Sequence, residues 1–212
     1  MTHNKRALKI IGYILCITAL FIFWLYMHIY RLAEVPTGLH IDEAGMAYDA
    51  FCLANWGVDR YLNPFPLYFY NLGGGQSAAY VYLCSLCIKL FGMGTIVFRI
   101  PAVLFSFITI LFSSLIVRKC FNHKWALVNA FLFCLLPYFT MQSRFGLDCN
   151  LMLGAATFCI YMTLFTIEKN RTWMYPILGL CWGLSLYTYV LSYLVFPIFL
   201  TLTLTYYLLT KK

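Results

Sequence analysis

The chain has 212 residues, of which 63% are apolar, 19% are aromatic and only 10% are charged, and its mean hydropathy is +0.79. This composition excludes an ordinary soluble domain and is typical of an integral membrane protein. The net charge of +8 does not indicate a nucleic-acid partner, because the basic residues lie mostly at the ends of apolar segments, as membrane topology requires.

The first predicted element is an uncharged apolar segment at residues 10–30. As a helix it would be about 31 Å long, enough to cross a bilayer core of roughly 30 Å. The segment ends in aromatic residues and Arg31, without the small-residue cleavage site of a signal peptide. We therefore expect a membrane anchor that is retained.

Five further apolar segments are each expected to span the membrane as a helix: residues 100–117, 125–141, 150–167, 173–189 and 192–210. The last two are almost continuous and would form a single helix of about 57 Å, so the chain must break between them. The expected turn lies at residues 187–193. The predicted fold class is an all-α integral membrane protein with about six transmembrane helices.

Segment 76–91 is apolar enough to be a seventh span, and the basic residues decide the matter because cytoplasmic loops are enriched in Lys and Arg. If it does not cross, ten of the fifteen basic residues share the side of the amino terminus, against six if it does. We expect a cytoplasmic amino terminus and an external interfacial helix at 76–91, with Tyr80, Tyr82 and Lys89 suited to that zone. The ten basic residues are Lys5, Arg6, Lys9, Arg118, Lys119, Lys124, Lys169, Arg171, Lys211 and Lys212.

The first external loop, residues 31–98, is too long for a simple connector, and long loops often carry function. Residues 42–55 are expected to form a short juxtamembrane helix, with Asp42 as its N-cap and Gly57 as its stop. An extended aromatic stretch at 61–70 follows, and then three consecutive glycines. The glycines indicate flexibility or a close backbone approach, and their context does not fit a nucleotide-binding loop.

Nine cysteines fall mostly within apolar segments, so we expect most of them to pack as small apolar side chains. Cys84 and Cys87 form a CxxC pair, which without further ligands is too little for a metal site. A disulfide between Cys52 or Cys149 and one of that pair stays open, provided that they face an oxidising compartment.

Several external residues could carry chemistry, and each has a structural alternative. Asp42 could be only a helix cap, Arg99 only an interfacial arginine, and Arg144 and Asp148 only an i,i+4 ion pair, while the aromatic residues could form a membrane belt. Together, external carboxylates beside external arginines suit a phosphate-bearing lipid. Arginine binds phosphate through a fork of donors, and a carboxylate deprotonates a hydroxyl group or holds a divalent metal.

The order of these features resembles the amino-terminal half of the GT-C glycosyltransferases. These are polytopic enzymes that use polyprenyl-phosphate sugars, and they include the protein O-mannosyltransferases and the aminoarabinose transferases acting on lipid A. The resemblance covers essentially the whole chain, residues 1–212, as one transmembrane domain. It is carried by three short motifs: His40-Ile-Asp42-Glu43-Ala44, Phe98-Arg99-Ile-Pro101-Ala102, and Ser143-Arg144-Phe145 through Asp148.

The resemblance implies a membrane glycosyltransferase with Asp42, Glu43 and Asp148 as its catalytic residues. Asp42 would be the catalytic base or a metal-side carboxylate, Glu43 its companion and Asp148 the acid of the second external loop. Arg99 would bind the donor phosphate. A divalent metal held by Asp42 and Asp148 is left open as a cofactor. Three further residues are expected to bind substrate: Arg144, His40 and Tyr48.

The expected partners are a polyprenyl-phosphate sugar donor, the membrane, and a lipid, glycan or protein acceptor, with inverting transfer at the external face of a bacterial plasma membrane. Members of the resembled family are usually longer, so we expect an amino-terminal portion of an enzyme or a truncated product. The alternative is a non-catalytic or truncated membrane protein that binds or transports lipid-linked sugars. The spans carry no charged residue deep within them, which counts against a transporter.

Overall fold

The computed structural model describes residues 2–71 and 73–210, and this part of the chain is mostly helical. It confirms the predicted class, an all-α integral membrane protein. The elements in chain order are α1 (Thr2–Ile29), α2 (Ile41–Trp56), β1 (Tyr68–Asn71), β2 (Gly74–Ser77), α3 (Ala78–Phe91), α4 (Thr95–Cys120), α5 (His123–Leu135), α6 (Pro137–Ser143), α7 (Cys149–Lys169), α8 (Met174–Ser185), a 3₁₀ turn (Leu186–Thr188) and α9 (Ser192–Thr210).

In the described part of the chain, fewer helices than the six predicted are long and apolar enough, by length and composition, to cross a membrane. Within the described residues, α1, α4, α7 and α9 are long and apolar enough to cross a membrane, and α5 and α6 add a fifth span if they count as one broken helix. These two helices meet at 68°, where Pro137 opens α6 and removes a backbone donor. The predicted span at 173–189 contains α8 and the 3₁₀ turn, and the 12 residues of α8 reach about 18 Å.

Helices α4 and α7 lie at the centre of the bundle and run in the same direction. Gly154 of α7 lies so close to α4 that a Cβ would be 2.7 Å from the Phe105 carbonyl oxygen, and Lys119 and Glu168 form an ion pair where both helices end. Because the two are parallel, the chain has to return across the bundle through α5 and α6. We call the end with residues 30–98, 144–148 and 186–191 the loop side.

Basic residues 118–124 and 169–171 lie at the opposite end of the bundle from the loop side, as the charge count predicted. Of the other basic residues in that count, Lys211 and Lys212 lie outside the described residues. The same holds for the side chains of Lys5, Arg6 and Lys9.

The predicted break between the last two apolar segments is confirmed, and hydroxyl groups explain how the chain turns there without glycine or proline. Thr188 Oγ1 donates to the Ser185 carbonyl oxygen at 2.6 Å. Ser192 Oγ donates to the Leu186 carbonyl oxygen at 3.0 Å and accepts from the Tyr189 backbone N–H at 3.3 Å. These bonds satisfy backbone groups that a helix end leaves without partners.

A β-hairpin, which the sequence did not predict, lies between α2 and α3 on the loop side. Strand β1 pairs with β2 in antiparallel register, Tyr68 opposite Ser77 and Asn71 opposite Gly74. At Gly75 a Cβ would lie only 1.7 Å from the Tyr68 ring. The Tyr68 ring therefore packs over Gly75, in the space that a side chain would fill.

Helix α3 fits the prediction of a helix at 76–91 that stops short of a span, since it has only 14 residues. Lys89 is exposed as expected at an interface. Tyr80 is not interfacial, which corrects the prediction. It is fully buried, and its hydroxyl donates to the Phe98 carbonyl oxygen at 2.8 Å, so α3 packs onto the start of α4.

All nine cysteines are free thiols, so the disulfide that the sequence left open is not formed in this structure. The expectation of buried packing holds for Cys52, Cys84, Cys134 and Cys159, whereas Cys16 and Cys120 are exposed.

Candidate active site at the loop side

The acidic pair of the first motif lies at the start of α2. The N-cap is His40, not Asp42 as predicted. His40 has an extended backbone (φ −61°, ψ 152°), and its Nδ1 accepts from the Asp42 backbone N–H at 3.2 Å. Glu43 closes the cap by accepting from the His40 N–H at 2.9 Å. Since His40 and Glu43 satisfy the helix start, the carboxylate of Asp42 is not used in capping.

Glu43 is completely buried and forms an ion pair with Arg99, which is also completely buried. Arg99 Nε lies 3.0 Å from Glu43 Oε1, and Nη2 lies 3.1 Å from Oε2. The remaining Arg99 donors bind the carbonyl oxygens of Leu32 and Pro36 through Nη1 and of Gly38 through Nη2. All five guanidinium N–H groups are thus engaged. In this arrangement all the Arg99 donors are used within the protein, and its binding of the donor phosphate stays a prediction.

Gly146 brings the second external loop onto this buried pair. Its backbone N–H donates to Glu43 Oε1. A Cβ on Gly146 would lie 2.6 Å from the Phe98 ring and 2.8 Å from the Tyr80 hydroxyl. Glycine is therefore needed for the backbone to reach the carboxylate, and Glu43 joins the starts of α2 and α4 to the loop before α7.

Arg144 also serves the backbone and not an ion pair. It is 5% exposed, and its three nitrogen atoms donate to the carbonyl oxygens of Val35, Met27 and Tyr30 at 2.7–2.9 Å. These carbonyls lie at the end of α1 and in the loop that follows. The i,i+4 ion pair with Asp148, one of the alternatives from the sequence, is absent among the described contacts.

Asp42, in contrast, remains accessible. Its side chain is 43% exposed, and its Oδ2 lies 3.4 Å from His40 Nδ1. Its Oδ1 accepts from Asn71 Nδ2 at 2.8 Å, and its backbone carbonyl accepts from Gln76 Nε2 at 3.2 Å. The hairpin thus holds the residue on one side and leaves the other carboxylate oxygen open.

Asp148 lies across the hairpin from Asp42. Its Oδ2 accepts from the Ser77 backbone N–H and its Oδ1 from the Cys149 N–H, each at 2.8 Å. Burial raises the pKa of Asp148 above its ordinary value, and the negative charge of Asp42 raises it further, against the lowering effect of these hydrogen bonds. Both predicted acids thus contact strand β2, Asp42 through Gln76 and Asp148 through Ser77.

Tyr48 does not belong to this group. It lies six positions after Asp42 on α2, about 120° away around the helix, and its side chain is 56% exposed. His40 does belong, since it lies beside the Asp42 carboxylate with 47% of its side chain exposed.

Sequence reasoning missed most of the polar side chains that hold Asp42. Asn71 and Gln76 belong to the hairpin, and Asp49 and Arg60 lie behind Asn71. Asp49 gave a usable signal, because its seven-residue spacing from Asp42 places both on one face of α2. The sequence signal for Asn71 was limited to its position just before the three glycines.

A comparison with known protein families matches residues 76–212, well over half of the chain, to the family described as dolichyl-phosphate-mannose-protein mannosyltransferase. The chain belongs to this family. Its membership confirms the GT-C resemblance and supports a membrane glycosyltransferase that uses a polyprenyl-phosphate sugar donor. Comparisons with curated proteins and with solved structures give no match.

The matched region of this mannosyltransferase family includes Arg99, Arg144 and Asp148 but begins after Asp42 and Glu43. The assignment of roles to the first acidic pair therefore depends on the geometry around it.

An apolar groove of about 800 Å³ begins beside the hairpin and continues between α3, α4, α7 and α8. Ala78 lines it near the hairpin, directly after Ser77, which binds Asp148. Phe105 and Phe112 of α4 line it further along the bundle. The groove thus extends from the middle of the bundle to the residue next to Ser77, the hydrogen-bond partner of Asp148.

Asp42 and Asp148 can be tested as ligands of a divalent metal. The described residues contain no group of three or more His, Cys, Asp or Glu side chains around one point. Magnesium, however, uses only one or two carboxylates and takes its other ligands from phosphate and water. Asp42 and Asp148, neither of them paired with a described Lys or Arg, match that number of carboxylates.

Proposed function

We propose that this protein transfers a sugar from a polyprenyl-phosphate donor to an acceptor on the loop side, with inversion at the anomeric carbon. The observation that carries the proposal is the open carboxylate of Asp42, next to Glu43, Arg99 and Arg144, whose polar groups are engaged within the protein. In a member of this glycosyltransferase family, an accessible acid with a free carboxylate oxygen is the group suited to act as base.

The proposed step is a single displacement. The acceptor hydroxyl gives its proton to Asp42 Oδ2, and its oxygen forms a bond to the anomeric carbon. The bond between that carbon and the phosphate oxygen breaks, and its electron pair leaves with the polyprenyl phosphate. Attack from the face opposite the leaving group inverts the configuration. Asp42 contributes proton removal and orientation of the hydroxyl group.

The negative charge of the leaving phosphate needs a partner other than the guanidinium groups of Arg99 and Arg144, because their donors bind Glu43 and backbone carbonyls. We propose that Asp148 is the main protein ligand of a divalent cation. Such a cation would supply positive charge to the phosphate.

We propose that the polyprenyl tail lies in the apolar groove. Ala79 lines this groove, and Ala130 lines a separate cavity between α1, α4 and α5. Replacement of Ala79 by Trp should raise the KM for a long-chain donor and leave turnover of a water-soluble short-chain donor unchanged. Ala130→Trp is the matched control, and equal effects of the two variants would exclude the groove as the tail site.

We propose that the loop side faces the exterior and the amino terminus the cytoplasm. Support comes from the basic residues at the other end of the bundle, because such residues favour the cytoplasmic side. Reporter fusions after residue 62 and after residue 171 should report opposite sides, external and cytoplasmic respectively. The reverse pattern would invert the topology and place the acids in the cytoplasm.

The central test replaces Asp42 by Asn in the full chain. Proteoliposomes receive radiolabelled polyprenyl-phosphate mannose and a membrane extract as acceptor source, and the release of polyprenyl phosphate is measured. Loss of a general base should lower kcat by on the order of 10²- to 10⁴-fold without a change in thermal unfolding. Glu34→Gln, a change at an exposed acid in the same loop, should keep full activity. Turnover of Asp42→Asn at the wild-type rate would refute the assignment of the base.

A further inference from the structure

Asp42 is the last member of a chain of polar side chains that begins in the interior. We propose that Asp49, Arg60 and Asn71 are positioning residues, which fix one carboxylate oxygen of Asp42 so that the other oxygen meets the acceptor hydroxyl. This inference rests on the proposed role of Asp42 as base. None of the three residues was expected at the site from the sequence.

The chain is anchored by Asp49, which is 1% exposed and lies on the same face of α2 as Asp42. Its carboxylate accepts from Arg60 three times through the side chain: Nε to Oδ1 at 3.0 Å, Nε to Oδ2 at 3.1 Å and Nη2 to Oδ2 at 2.6 Å. The Arg60 backbone N–H also donates to Oδ1 at 3.0 Å. Backbone and guanidinium are therefore fixed by one buried carboxylate, in the fork geometry that makes such pairs specific.

The Arg60 guanidinium determines the orientation of the Asn71 amide. Arg60 Nη1 donates to Asn71 Oδ1 at 3.3 Å, and Asn71 Nδ2 donates to Asp42 Oδ1 at 2.8 Å. A guanidinium can only donate and an ionised carboxylate can only accept. The reversed amide would face donor to donor and acceptor to acceptor, so this geometry allows only one orientation.

Gly45 shows how closely these groups pack on α2. A Cβ at this position would lie 2.7 Å from Asn71 Oδ1 and 2.9 Å from Arg60 Nη2. Glycine inside a helix is less stable than alanine, so the helix loses stability in exchange for this approach. The amide and the guanidinium lie directly against the helix that carries Asp42.

A purely architectural role for Asn71 is poorly supported, because the neighbouring segments have their own hydrogen bonds. Asp59 accepts from the backbone N–H groups of Tyr61 and Asn63 and from the Asn63 side chain. The two hairpin strands are joined by their backbone ladder. What the Asn71 side chain adds is the contact with Asp42.

The test measures donor turnover by the full chain in proteoliposomes with polyprenyl-phosphate mannose. Asn71→Ala should lower kcat by about tenfold to a hundredfold, the range expected when a reacting group is misplaced, and leave the KM for the donor nearly unchanged. Asn55→Ala is the matched control, because among the described residues the Asn55 amide donates to the Phe51 carbonyl within α2 and to no group at the site. Equal kcat values for Asn71→Ala and Asn55→Ala would overturn the inference.

A double-mutant cycle separates positioning from general damage to the fold. If Asn71 acts through Asp42, then Asn71→Ala should cause no further loss of residual turnover in an Asp42→Asn background. Independent, multiplicative losses would overturn the inference.

Gly45→Ala provides a second variant in case Asn71→Ala does not fold. The added methyl group displaces the amide and the guanidinium, so kcat per folded molecule should fall, with the folded fraction determined by thermal unfolding. Wild-type kcat in this variant would contradict the proposal.

An activity-independent measurement distinguishes failure of this inference from failure of the proposed function. Carbodiimide coupling to a small amine, quantified by mass spectrometry, reports the accessibility of each carboxylate. Coupling at Asp42, relative to Glu34, should rise in Asn71→Ala and in Arg60→Ala but not in Asn55→Ala. Absent donor turnover in the wild type would refute the proposed function, whereas unchanged coupling at Asp42 would refute the positioning chain.

Discussion

Asp42 and Glu43 are neighbours in sequence, yet the regions around their side chains are opposites. Glu43 is fully buried and accepts from Arg99, from Gly146 and from the His40 backbone. Asp42 is partly exposed and has one oxygen free of any described side-chain donor except the nearby His40. The Glu43 carboxylate thus joins three segments of the chain, whereas the Asp42 carboxylate is held on one side only.

The difference teaches that a carboxylate whose hydrogen-bonding capacity is fully used stabilises the fold, whereas a carboxylate with a free oxygen is available for catalysis. A buried charge is tolerated only if it is paired and hydrogen-bonded, and Glu43 and Arg99 meet that condition together. A catalytic base needs a free lone pair directed at a substrate, and Asp42 meets that condition. The two residues should therefore respond differently to mutation, in stability for one and in turnover for the other.

The largest expected effect is on stability, from Arg99→Met. The change leaves Glu43 buried without its partner, and loss of one member of a buried pair costs about 3–5 kcal/mol. Thermal unfolding of the detergent-solubilised chain measures it. Arg31→Met removes an exposed partner of Glu34 and should have almost no effect. If Arg99 instead bound the donor phosphate, its replacement would raise the KM for the donor and leave unfolding unchanged.

A smaller loss of stability is expected from Gly146→Ala. The new methyl group would overlap the Phe98 ring and the Tyr80 hydroxyl, and overpacking of this kind costs about 1–3 kcal/mol. Gly179→Ala is the control, because no atom of the described residues lies within 4 Å of a Cβ at that position in α8, and alanine favours a helix interior. An unfolding temperature equal to that of Gly179→Ala would show that the loop does not need to approach Glu43 so closely.

The sequence predicted which residues would matter better than it predicted what they touch. The scarcity of charge selected Asp42, Glu43, Arg99 and Asp148, and the structure places them all at the loop side. Their partners could not be predicted, because the Arg99 donors reach Glu43 and three carbonyls that are 56–67 residues away in sequence. Proximity of arginine and carboxylate suggested a phosphate site, although the arginine is saturated.

Local rules explain the other differences between expectation and structure. Asp42 was a reasonable N-cap from residue preferences, but the helix begins one residue earlier and His40 caps it. Hydropathy predicted a full span at 173–189, since it does not detect hydroxyl groups that bind backbone carbonyls and end a helix at Ser185. The hairpin was not predicted because its second strand consists of glycine and polar residues and lacks the alternating apolar pattern of a strand.

The smallest expected effect concerns the pH dependence of stability and comes from Asp148→Asn. Burial, with a contribution from Asp42, raises the pKa of Asp148 above its ordinary value of 3.8 in the folded state. The folded protein therefore binds the proton more tightly than the unfolded chain, and stability falls as the pH rises from that value through the folded pKa. Asparagine retains the capping oxygen but has no charge, so with EDTA present the variant should unfold at a higher temperature than the wild type at neutral pH.

Asp59→Asn is a control in which the unfolding temperature should change in the opposite direction. Hydrogen bonds from Asn63 and Tyr61 outweigh burial and lower the pKa of Asp59. A lower unfolding temperature for Asp148→Asn at neutral pH would mean that its charge stabilises the fold, and that the contrast between structural and chemical carboxylates does not extend to the second acid.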